Sequence, residues 1–158
     1  MKTNNYIGLD KKKADKLAGK LDELLANLQI FYINTRGYHW NIKGEKFFEL
    51  HLKFEEIYTN LQVKIDEVAE RILTLGGAPS HSYTEYLKKS SIKEKTNVSD
   101  GRKALENILE SISNLLVLER EILDLSSETN DEGTNALMSD YIREQEKTVW
   151  MFSSFLSK

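Results

Sequence analysis

One proline, Pro79, interrupts 158 residues whose apolar positions otherwise repeat at steps of three and four. Proline removes a backbone donor and clashes inside a helix, so its scarcity leaves most of the chain free to form long helices. Leu17, Leu21, Leu24, Leu28 and Phe31 step by 4, 3, 4 and 3 within a first expected helix from about Asp10 to Arg36. A second is predicted from about Lys46 to Leu75. A third runs from about Gly101 to Leu125 and carries Leu105, Ile108, Ile112 and Leu115. A fourth runs from about Thr134 to Leu156 and carries Met138, Ile142, Val149 and Phe152. This alternation is the seam of helices lying nearly parallel in a bundle.

The connections differ in kind. Those around Asn41–Gly44 and Glu128–Gly133 are short and suit antiparallel neighbours. Between the second and third helices, about 24 residues begin with Gly76-Gly77-Ala78-Pro79. Extended, they reach about 75 Å, against about 45 Å for a thirty-residue helix, so they can return along the whole bundle. Ser82-Tyr83-Thr84-Glu85 has the capping-box pattern and predicts a short helix through about Lys89. The expected fold is all-α, a four-helix bundle of ferritin-like topology with one long crossover. It is expected to be one domain over residues 1–158, with a short tail over 1–9.

Composition narrows the function classes. With no cysteine, disulfide scaffolds, thiolate metal sites and cysteine nucleophiles are all excluded. The start, MKTNNYIGLDKKK, has no apolar stretch of the signal-peptide kind, and no run approaches the roughly 20 apolar residues of a membrane span. A cytoplasmic protein without membrane contact is therefore expected. A net charge of −3 argues against a surface built wholly for nucleic acid. Lys2, Lys11, Lys12, Lys13, Lys16 and Lys20 cluster near the N-terminus and read as a solvated helix start in preference to a DNA-binding tail.

His39, His51, Glu55, Asp66 and Glu70 follow one another at intervals of 12, 4, 11 and 4 residues. Each four-residue pair lies on one face of a helix. Imidazole with carboxylate suits iron, zinc or manganese. At about 100° per residue the second helix has three faces. Leu50, Phe54, Ile57, Leu61, Ile65, Val68 and Ile72 form a core face, and Lys53, Glu56, Asn60, Lys64, Glu67 and Arg71 a polar one. The third interleaves His51, Glu55, Thr59, Gln62, Asp66 and Glu70 with Phe48, Leu52, Ala69 and Leu73. A face half apolar and half ligand-like is expected to meet another chain.

His51 and Asp66 are 15 residues apart, about 22 Å along a helix. Metal–ligand bonds are about 2 Å, so one helix cannot bring both pairs to one ion. Two copies packed antiparallel about a two-fold axis can, with two equivalent sites per dimer. A single His–Glu pair on a helix is usually incidental; five such residues on a mixed face are not. Glu-x-x-His, the motif of sites inside one bundle, is absent, because Phe48 stands three residues before His51.

Tyr38-His39-Trp40-Asn41-Ile42-Lys43-Gly44, Phe47-Phe48-Glu49-Leu50-His51 and Asp66-Glu67-Val68-Ala69-Glu70-Arg71 resemble the Dps family, the mini-ferritins. Leu75-Gly76-Gly77-Ala78-Pro79 and Glu146-Lys147-Thr148-Val149-Trp150-Met151 carry the likeness to the end of the chain. The resemblance implies a hollow dodecamer with ferroxidase sites at two-fold interfaces. Those sites oxidise Fe(II), preferably with hydrogen peroxide, and ferric mineral collects inside. It assigns His39, His51 and Glu55 to one subunit and Asp66 and Glu70 to its partner. Glu55 stands where aspartate is common. Trp40 is expected beside the site, either absorbing oxidising equivalents or packing at the interface. Glu56 is a nucleation candidate on the cavity side. Asp131 and Asp140 are candidate iron-pore acids, with Ala136 where relatives carry an acid between them; Asp131 also reads as a helix cap. His81 is expected at the surface, and Trp150 in core or interface packing. The rival reading is a DNA-coating nucleoid protein.

Overall fold

A computed structural model describes residues 4–157 and shows five helices: α1 (Lys11–Asn41), α2 (Phe47–Thr74), α3 (Tyr83–Lys89), α4 (Gly101–Thr129) and α5 (Glu132–Leu156). Among the described residues there is no strand beyond two isolated bridges. The start of the expected tail, Lys2 included, and Lys158 lie outside the described residues. Side chains set the helix starts. Asp10, Ser82, Asp100 and Asp131 each accept from the backbone N–H three residues on. Each such cap is worth about 1 kcal/mol.

The predicted seam is the core except at Ile142 and Val149 of α5, which are only half-buried. Leu17, Leu21, Leu24, Leu28 and Phe31 of α1 are buried together with Leu105, Ile108, Ile112 and Leu115 of α4 and Met138 and Phe152 of α5. The α1–α2 and α4–α5 pairs are hairpins. Lys13 reaching the Glu128 carbonyl and Lys20 reaching Glu121 run α1 antiparallel to α4. Lys64 to Glu144 and Arg71 to Asp131 do the same for α2 and α5. This is the ferritin-like bundle. Among the described residues no helix is long and apolar enough to cross a membrane.

Two helix ends lie beyond their sequence expectation. α1 continues from Arg36 to Asn41, since Tyr38 is a fully packed core residue. α4 continues to Thr129 and stops where Asn130 turns left-handed at φ 59°. Its last turn is polar, and the hydroxyls of Ser126, Ser127 and Thr129 donate back to carbonyls three or four residues earlier. No apolar periodicity marks that turn.

The crossover leaves α2 through Gly76, whose φ of +92° favours glycine. Three α1 side chains then hold it along the bundle. Asp22 accepts from Ser80 N–H at 2.7 Å, Ser80 Oγ at 2.6 Å and Lys89 Nζ at 2.6 Å. Burial pushes its pKa up, but the Lys89 and Ser80 hydrogen bonds outweigh that and hold it below the usual carboxylate range. The Asn27 amide oxygen accepts from Ser90 Oγ, both donors of Ser91 and Ile92 N–H. Asn34 brackets Lys93 and Lys95.

Glu119, on α4, is fully buried and accepts from Gln145 Nε2 of α5 at 2.7 Å. Burial lifts its pKa from 4.5 to about 8, against the pull of Gln145, Lys64 and Arg120. Glu119 Oε2 and Gln145 Oε1 are both buried acceptors without a donor. One proton on the carboxyl turns the first into a donor and relieves that mismatch.

Two stability measurements follow. Asn27→Ala leaves up to four crossover donors without an acceptor and is expected to cost about 1–3 kcal/mol in denaturant unfolding. Folding takes up a proton at Glu119 between pH 4.5 and about 8, so this carboxyl makes stability fall as pH rises through that window. Glu119→Gln is expected to flatten that fall by an amount on the order of 4 kcal/mol.

Candidate metal centre

The extra turn of α1 puts His39 and Trp40 on the helix itself. Asn41 Nδ2 donates back to the Gly37 carbonyl, and Ile42 N–H closes on Tyr38. The chain reverses through Gly44 and enters α2 at Phe47, which brings His51 against His39. The two imidazoles stack with centroids 3.7 Å apart and planes 15° apart. Phe47 stacks on the His51 ring at 5.0 Å, and Tyr58 stands edge-on to His39 at 5.2 Å.

The hydrogen bonds are reciprocal. His39 Nδ1 meets the His51 carbonyl at 2.6 Å, and His51 Nδ1 meets the His39 carbonyl at 2.8 Å. A carbonyl only accepts, so both Nδ1 atoms carry the hydrogen. In the neutral rings both lone pairs are then left on Nε2. Histidine ligands to metals are held in just this way, their second nitrogen fixed by a backbone carbonyl or a carboxylate. The turn therefore presents two oriented nitrogen donors.

The carboxylates are arranged differently. Glu55, Asp66 and Glu70 are exposed and form none of the ion pairs found among the described residues. Their neighbours Glu49 and Glu56 are paired with Lys46 and Lys53. Within this chain no three histidine, cysteine or acidic side chains among the described residues converge on one point fit for an ion. The fold brings His39 and His51 together and places Glu55 one turn along. It leaves Asp66 and Glu70 on the same unbroken helix, about 22 Å or more from His51. Around them Trp40, Phe48, Leu52, Val63 and Leu73 are exposed, Phe48 to 83%. Two imidazoles and three carboxylates suit Fe(II), zinc or manganese once brought together.

Several residues sit differently from their sequence reading. Asp131 is buried: it caps α5, accepts from Thr134 Oγ1 and pairs with Arg71 at 2.5 Å, so it is no solvent-facing pore acid in this chain. Gly133 leaves room for that guanidinium, since a Cβ there would lie 2.8 Å from it. Asp140 is exposed and bonds Arg143 at 2.7 Å. Lys64 and Arg71 leave the polar face, Lys64 to meet Glu144, Asn60 and the Tyr141 ring. Trp150 is 65% exposed, which removes core packing as its role, and His81 is at the surface. Tyr58, edge-on to His39, carried no motif, and Phe47, stacked on His51, stood in a quoted segment without a role of its own. The seven-residue step from His51 to Tyr58, two helical turns on one face, was the available signal for Tyr58.

The ferritin-like domain model matches residues 18–158. The fold superposes on a crystal structure of a Dps protein from Vibrio cholerae O1 with a TM-score of 0.97. The two are 59% identical, and the match covers 99% of each chain. That protein is described as a member of a broad superfamily of ferritin-like diiron-carboxylate proteins. A Dps structure from Bacillus brevis matches at TM-score 0.89 and 32% identity, over 92% of this chain and 98% of that one. The DNA protection during starvation protein of Porphyromonas gingivalis is 42% identical over 96% of this chain and 95% of its own. With a bundle of this topology and relatives at these identities along nearly its whole length, the chain belongs to the Dps family of ferritin-like proteins.

Proposed function

We propose that this protein oxidises Fe(II) at centres shared between two copies of the chain, with hydrogen peroxide as the preferred oxidant. The ferric product is stored as mineral inside a hollow dodecamer, which limits oxidative damage. The observation that carries this reading is the reciprocal Nδ1–carbonyl pair, which aims two Nε2 donors from His39 and His51. The unpaired acids and the exposed apolar stripe beside them support a two-fold partner. In each centre, His39, His51 and Glu55 of one copy work with Asp66 and Glu70 of the partner subunit.

Two Fe(II) ions each give up one electron. Hydrogen peroxide takes both, together with two protons, and leaves as two waters. The carboxylates favour the ferric product, because each ion gains a positive charge beside negative ligands. Uptake in a two-electron step keeps hydroxyl radical formation low. Asp140 remains the candidate acid for an iron pore, and Asp131 serves instead to shape the turn that positions α5. Glu56, exposed beside Lys53, is the proposed nucleation residue.

A DNA-coating role draws less support. Lys11 pairs with Asp15, Lys13 with the Glu128 carbonyl, and Lys20 with Glu23 and Glu121, so the fold itself uses these cations.

Purified protein is expected to consume Fe(II) and peroxide together, and replacing His39 and His51 by glycine to slow Fe(III) formation roughly ten- to a hundredfold. Unchanged rates reject these ligands. Leu52→Lys puts a charge into the apolar stripe. It is expected to shift the protein to smaller species on sizing with light scattering and to lower Fe(II) oxidation in parallel. Full assembly of the variant removes this face as the interface.

A further inference from the structure

Among the described residues α2 is the one long helix whose first turn lacks a capping side chain. Lys46 precedes it without a side-chain bond, whereas Asp10, Asp100 and Asp131 cap α1, α4 and α5. Helix ends fray, and an uncapped first turn leaves its N–H groups without partners. His51 stands only four residues after the first residue of α2. A ring that must aim at an ion is therefore carried close to the least supported helix start.

That first residue is Phe47, whose N–H bonds the Gly44 carbonyl at 3.1 Å. Four residues ahead of His51, it lies one turn away on the same helical face. Its ring stacks on His51 at 5.0 Å with planes 17° apart, and His39 stacks on His51 at 3.7 Å with planes 15° apart. Among the described residues Phe47 and His39 make no ring contact with each other, so the His51 ring lies between them. All three rings belong to one chain, and the column stands before a partner subunit arrives.

A hydrogen bond at Nδ1 settles which nitrogen carries the hydrogen, but not the plane of the ring. The torsion about the Cβ–Cγ bond of histidine is broad, and a carbonyl accepts over a wide range of directions. The Nε2 lone pair lies in the ring plane, so a tilt swings it off the ion. Ligand groups have to be held within about 10–20° of the productive direction. A flat ring on each face resists that tilt, and an aliphatic side chain of similar size fills the space without offering a flat face.

We propose that Phe47 is a positioning residue for the iron-oxidising centre, clamping the His51 ring against His39 so that both Nε2 donors keep one direction. This rests on the iron-oxidising reading and names what holds its nitrogen ligands in plane.

Co(II) titration of the assembled, metal-free protein, followed by visible absorption, reads the site without iron chemistry. Phe47→Leu is expected to weaken Co(II) binding roughly tenfold, and Phe47→Tyr, which keeps the ring, to restore it. Phe47→Met, also without a flat face, serves if the leucine variant does not assemble. In metal-free crystals the His51 ring should hold one plane in the unaltered protein and the tyrosine variant, and more than one in the leucine variant. A merely structural Phe47 would lower resistance to unfolding and leave Co(II) affinity unchanged. Unchanged affinity in the assembled leucine variant, or a His51 ring that keeps its single plane there, overturns the proposal. His39→Gly with His51→Gly separates the two ideas. Co(II) binding that this double variant leaves intact, with the ring freed in Phe47→Leu, sinks the iron centre and leaves the clamp. Co(II) binding that the double variant abolishes and Phe47→Leu leaves intact sinks the clamp alone.

Discussion

A stiff helix keeps the metal-binding side chains of this chain apart. α2 runs without a break from Phe47 to Thr74, with His51 and Glu55 near one end and Asp66 and Glu70 toward the other. At 1.5 Å per residue the gap between the pairs is about ten times a metal–ligand bond. The exposed ligand face, the unpaired acids and the apolar side chains between them are explained together if that helix lies against its twin. A two-fold axis makes the same patch serve both copies, so one face supplies two centres.

The rest of the bundle keeps that face rigid. The histidine end is fixed by backbone carbonyls on either side of the α1–α2 turn, which leaves no freedom in the tautomer of either neutral ring. The acid end is tied to α5 through Arg71, whose guanidinium meets Asp131 and Thr134 where the last hairpin turns. The crossover is stapled to α1 by Asp22, Asn27 and Asn34, side chains that would be costly in a core if left unsatisfied. The core is thus apolar along its seam and polar where it binds its own loops. Glu119 departs from that pattern, as a carboxyl whose raised pKa lets it stay buried in its protonated form.

Much of this was legible in the residues. The three-and-four repeat located the four long helices, and Ser82 with Glu85 located the short one, because burial periodicity and capping are properties of neighbouring residue types. Polar helix ends were not legible: Ser126 to Thr129 extend α4 through backbone hydrogen bonds that no pattern of apolar residues announces. Lys64 and Asp131 read as surface charges and are buried, since a long stem and a cap each carry a charge to a distant partner. The ligand residues were visible as spacing. Their orientation was not, because the carbonyls that fix it belong to backbone and have no letter of their own.

Subunit complementation tests the shared centre most directly. One variant lacks the histidines (His39→Gly, His51→Gly) and the other lacks the acids (Asp66→Asn, Glu70→Gln), and each alone is expected to oxidise Fe(II) poorly. Unfolded together and reassembled at equal ratio, they place intact histidines opposite intact acids at about a quarter of the centres, and iron oxidation should return to about that fraction. Mixed assemblies that form at full size and remain as inactive as their parents would contradict a centre built from two chains.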